Sequence, residues 1–125
     1  MNIREVYEDL REYIISLNDD YIVLFDFSLI DSDSKSNLII IDDKSPDYTA
    51  YFDGDFDGEA YIYVHHSDLL SCIELKETLS NLLDDYCTTS YRIITMNDED
   101  QFKAIVPNSN LKVRRFKIKI LYGVD

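Results

Sequence analysis

Apolar and polar positions along the chain fall into short runs whose period changes several times. Ile3, Val6, Tyr7, Leu10, Ile14 and Leu17 recur every three or four residues, which predicts one amphipathic helix over residues 3–17. Asn2 stands where an N-cap belongs and Glu5 follows three residues later, as in a capping box. Asn18-Asp19-Asp20 ends the helix. The period then drops to two. Residues 21–28 read as a strand with Tyr21, Val23, Phe25 and Phe27 on one side and Ile22 and Leu24 on the other. A polar loop over 31–37 leads to a strand over 38–41, and Lys44-Ser45-Pro46-Asp47 forms a turn. Residues 48–53 and 59–65 read as two strands joined by a loop over 54–58.

Ser67 or Asp68 caps a second helix running to about Tyr86. Its expected inner stripe is Leu69, Ile73 or Cys72, Lys76, Leu79, Leu82, Leu83 and Tyr86. Strands are predicted over 91–96, 101–106 and 112–122, the second ended by Pro107. The order is α-β-β-β-β-α-β-β-β in one domain over residues 1–125. Adjacent strands are joined by short turns, so the expected fold is α+β: a mostly antiparallel sheet with both helices on one face.

Charge changes the picture more than any other property. The net charge is −13, but it is divided unevenly. Residues 1–111 hold seven basic and twenty-four acidic side chains, whereas residues 112–125 hold five basic and one acidic. An acidic body repels nucleic acid, so no specific nucleic-acid binding is expected. No apolar run approaches the roughly 18–20 residues of a membrane span, and the charged first seventeen residues do not read as a signal peptide. Cys72 and Cys87 are separated by a helical stretch of about 22 Å, too far for a disulfide. Both read as buried, free thiols in a reducing compartment.

Candidate chemistry is thin. Asp53-Gly54-Asp55-Phe56-Asp57-Gly58 matches the first half of a calcium loop, but the twelfth position, which needs a bidentate acid, is Val64. The segment reads first as an Asp-Gly hairpin turn. His65 and His66 are adjacent on a strand and point to opposite faces, which predicts a strand-end surface pair and no shared metal. Asp19-Asp20, Asp42-Asp43 and Asp84-Asp85 read as element ends, and no nucleophile or phosphate-loop motif is present. No enzyme, cofactor or metal site is expected. In the last strand, Phe116, Ile118, Ile120 and Tyr122 alternate with Arg115, Lys117 and Lys119. The apolar set faces the core and the basic set shares the opposite face. A solvated face and a charged seam to an acidic neighbour are both open readings.

The element order resembles that of the tail terminator, or tail completion, proteins of long-tailed bacteriophages. The resemblance rests on the helix over 2–17, the hairpin over 48–65, and the entry Tyr61-Ile62-Tyr63-Val64-His65-His66-Ser67-Asp68 into the second helix. It closes on the basic, alternating strand Arg114-Arg115-Phe116-Lys117-Ile118-Lys119-Ile120. It implies a structural virion protein assembled in the host cytoplasm, a hexameric ring that caps the tail tube and joins it to the head. Its partners would then be further copies of itself, the tail tube protein and a head-completion protein. A ring needs one surface to meet a different surface on the next copy. The candidates are Arg114, Arg115, Lys117 and Lys119 on one side and Asp53, Asp55 and Asp57 on the other. The alternative reading is a small acidic inhibitor that mimics DNA and blocks a host nucleic-acid enzyme.

Overall fold

A computed structural model describes residues 2–25, 38–44, 55–96 and 112–123. The elements are α1 (Ile3–Leu17), β1 (Ile22–Leu24), β2 (Leu38–Asp43), β3 (Asp55–His66), α2 (Leu69–Leu83), β4 (Tyr91–Met96) and β5 (Lys112–Gly123). The five strands form one sheet in the order β1-β2-β3-β5-β4. Only β1 and β2 run parallel; every other neighbour is antiparallel. This is an α+β fold, as the pattern predicts. The predicted strands over 48–53 and 101–106 lie outside the described residues.

Both helices begin at a side-chain cap. Asn2 Oδ1 accepts the Glu5 amide at 2.9 Å and its Nδ2 donates to the Glu5 carboxylate at 3.0 Å. Asp68 accepts the Ser71 amide at 2.9 Å and the Ser71 hydroxyl at 2.8 Å. Each cap is worth about 1 kcal/mol because it satisfies amides that have no partner inside the helix. From α1, Val6, Leu10 and Ile14 are fully buried, and α2 contributes Cys72, Leu79 and Leu83. These pack on Ile39, Ile41, Ile62, Phe116, Ile118 and Ile120 of the sheet. Fully burying one such side chain stabilises the fold by about 2–3 kcal/mol. Tyr7 fixes α1 to the sheet: its hydroxyl lies 2.6 Å from Asp43 Oδ1 and 3.2 Å from the Glu59 carbonyl.

Several expectations need correction. The inner stripe of α2 is Cys72, Leu75, Leu79 and Leu83, while Leu69 and Leu82 are exposed. Val23 of β1 is buried, but Phe25, just past the end of the strand, is exposed, so the two do not share one covered side. Residues 55–58 are strand and not loop, because the twelve residues of β5 provide a partner for every position from Asp55 to His66. That long ladder overrides the turn preference of the Asp-Gly pairs. His65 is no surface residue: it is wholly buried. Both cysteines are free, but only Cys72 is buried and Cys87 is exposed. Among the described residues no helix is long and apolar enough to cross a membrane.

Candidate interaction surface

The strand alternation puts a second set of side chains on the face of the sheet turned away from the helices. Strand β5 controls this face because it is internal to the sheet, paired with β3 along one side and β4 along the other. A central strand has its main-chain groups taken by both neighbours. It therefore acts on the outside world through side chains alone. Arg115, Lys117 and Lys119 fall on this outer face, and Phe116, Ile118 and Ile120 fall in the helix-side core.

The cross-strand register explains what the cations touch. Tyr63 lies opposite Arg115, Tyr61 opposite Lys117, and Glu59 opposite Lys119. The Arg115 guanidinium sits 4.3 Å from the centroid of the Tyr61 ring, a cation–π distance, and its Nη1 lies 3.5 Å from the Tyr63 hydroxyl. The two tyrosine rings are 6.1 Å apart and tilted by 55°. Lys117 reaches diagonally to the Glu59 carboxylate at 3.4 Å. Its side chain is 27% exposed and that of Glu59 37%, so the pair contributes well under 1 kcal/mol.

Beside this polar half the same face holds an apolar half. Ile40, Tyr63 and Val113 form a buried cluster with Leu24 and Tyr61 packed against it. His65 borders the cluster, opposite Leu38 in β2 and Val113 in β5. Burial pushes its imidazole down to about 4, and the backbone of Leu38 and Tyr63 only partly offsets that. It is therefore neutral at pH 7. His66 points the other way and accepts the Asp68 amide on Nδ1 at 2.9 Å, which supports the start of α2. The two histidines thus divide as strand alternation requires, but one serves packing and the other serves the cap.

The sequence-derived candidates do not all meet. Arg115, Lys117 and Lys119 share one face. Arg114 is exposed on the helix side, opposite Val64, with its Nη1 donating to the Val113 carbonyl at 3.0 Å. Asp53 lies outside the described residues. Asp55 and Asp57 lie in β3 beside Gly123 and Leu121 of β5. Neither Asp55 nor Asp57 pairs in register with a basic candidate, and Glu59, which spacing alone did not single out, carries the ion pair to Lys117. Tyr61 and Tyr63 were also missed as site residues, although their period-two spacing opposite a basic strand was a usable signal.

Away from this face α1 exposes Glu5, Glu8, Asp9 and Glu12 beside Arg4, and α2 exposes Glu74 and Glu77 together with Leu69, Leu70 and Leu82. Arg4 pairs with Glu8 at 3.0 Å one turn along α1. Two deeper contacts join the layers. Tyr91 donates its hydroxyl to Asp9, and both that bond and burial push its phenol up, so it stays protonated. Tyr13 stacks on Tyr86 at 3.8 Å. Among the described residues no group of three or more His, Cys, Asp or Glu side chains is placed to hold a metal ion.

The arrangement defines an α+β protein with a cationic and aromatic sheet face opposite two helices that expose acidic and, on α2, apolar side chains. No protein-family model, curated protein or solved structure matches the chain.

Proposed function

We propose that the protein is a structural subunit that assembles into a ring, in the manner of the phage tail completion proteins whose element order it resembles. In that role it caps a tail tube, contacts the tube protein on one side and a head-completion protein on the other, and catalyses nothing. The observation that supports this reading best is the opposition of the two faces. Arg115, Lys117, Tyr61 and Tyr63 lie on one side of the sheet, and Glu5, Glu8, Glu12, Glu74 and Glu77 lie on the helices that cover the other. Two unlike, complementary surfaces on opposite sides of one subunit are what a head-to-tail contact requires, and a head-to-tail contact closes into a ring when the rotation allows. Tyr and Arg are also the side chains that interfaces favour. This version of the seam replaces the acidic turn around Asp53 with the helix side of the next copy.

The acidic helix side also suits the second reading, an inhibitor that presents DNA-like charge to a basic enzyme. That reading needs a monomer or dimer, so the association state separates the two. Reversing Arg115, Lys117 and Lys119 together to Glu places three new acids against an acidic neighbour. The expected outcome is loss of the ring by light scattering at low salt, with the circular dichroism spectrum unchanged. A ring of the same mass in the folded variant sinks the proposed seam.

A further inference from the structure

A sheet that ends in an open strand offers its unpaired amides and carbonyls to a strand of another molecule. Among the described residues β4 pairs with one strand, β5, and ends the sheet. Its outward main-chain groups are nevertheless occupied, by the segment that leaves α2. Thr88 N donates to the Tyr91 carbonyl at 2.8 Å and Thr88 Oγ1 accepts the Tyr91 amide at 3.1 Å. The Ile93 amide donates to the Tyr86 carbonyl at 2.8 Å, and the Ile93 carbonyl accepts the Asp85 amide at 3.0 Å. Asp84 Oδ1 then takes the Thr95 amide at 3.1 Å. From the Tyr91 amide to the Thr95 amide, each outward group has a partner within the chain.

The segment is built to lie there. Asp84 ends α2, and Asp85 adopts φ 62°, a left-handed turn that sends the chain back along β4. Arg92, on the strand it guards, bonds the Asp85 carboxylate. Tyr86 is held between Tyr13, stacked on it, and Tyr91, edge-on at 5.9 Å.

We infer that residues 84–88 are a fixed edge guard, occupying the place that a strand from a second copy of this chain would otherwise take. A second copy of the protein therefore does not extend the sheet at β4. The inference stands on the β4 hydrogen bonds and is independent of the ring.

Hydrogen exchange on the wild-type chain tests it first. The Ile93 and Thr95 amides are expected to exchange as slowly as those of the central strand β5; exchange at the rate of an open edge overturns the guard. The second test removes both side-chain acceptors with Asp84→Ala and Thr88→Val while keeping the main chain of the hook. Exchange at Thr95 should rise roughly tenfold or more as its partner is lost. The Ile93 amide, bonded to the Tyr86 carbonyl, should keep its slow exchange. A folded variant whose Thr95 amide exchanges at the wild-type rate contradicts the inference. If the variant does not fold, the wild-type exchange rates decide.

Discussion

Lowering the pH from 7 to 4 should remove about 3 kcal/mol of stability through His65 alone. Its imidazole, ordinarily near 6.5, is held down to about 4 by complete burial. In the unfolded chain it takes up a proton below about 6.5, whereas in the folded chain it does not until about 4. The unfolded state therefore binds more protons across that window, and stability falls as the pH falls through it. At about 1.4 kcal/mol per unit, a gap of roughly two and a half units gives the stated figure. Carboxylates titrate in the same range, so the measurement is a comparison. In urea denaturation between pH 7.5 and 4, wild type should lose about 3 kcal/mol more stability than His65→Leu as the pH falls. Parallel curves would show that His65 is not held neutral by the fold.

Truncating the buried isoleucines should cost comparable amounts on both faces of the sheet. Ile62 lies in the core beneath the helices and Ile40 on the outer face, and both are fully buried. Replacing either by Ala removes three carbons and leaves a cavity, for a loss of about 3 kcal/mol each. That is a large part of the 5–15 kcal/mol expected of a whole domain. An outer face that was merely wetted would give less than about 1 kcal/mol for Ile40→Ala. Chemical denaturation decides: near-equal losses support a sheet packed on both sides around Ile40, and a small loss at Ile40 alone contradicts it.

What the sequence made legible follows from how strong each local signal was. The stripe of α1 is clean, with polar residues between its apolar ones; its cap comes out as read, with Val6, Tyr7, Leu10 and Ile14 buried and Ile3 and Leu17 partly buried against the core. The stripe of α2 is ambiguous because Leu69, Leu70, Ile73, Leu75, Leu79, Leu82 and Leu83 surround much of the helix. Only contact with the sheet selects Leu75 and leaves Leu70 and Leu82 outside. The alternation of β5 gave its two faces correctly, since period two needs no partner to be seen. Its place inside the sheet was not legible, because strand order is a long-range property. The same cause hid the extension of β3 through Asp55 and Asp57, where pairing along β5 overrides local turn chemistry. The burial of His65 had no sequence signal, because a histidine at a strand end looks alike whether covered or wet.

The charge division gains a more exact meaning from the pairing of β3 with β5. Part of the basic strand is answered at home, by Glu59 on Lys117 and by the Tyr61 ring under Arg115. What is presented to another molecule is a mixed cationic and aromatic face and, on the opposite side, helices that expose Glu5, Glu8, Glu12, Glu74 and Glu77. With the β4 edge guarded, those faces are the surfaces through which copies are proposed to meet.

A native mass spectrum of the wild-type protein, sprayed from low-salt buffer, tests that claim most directly. A discrete ring-sized species, six copies of the 14.7 kDa chain, is expected, dissociating as salt is raised. A monomer or dimer at every concentration and salt would contradict the ring and favour the inhibitor reading.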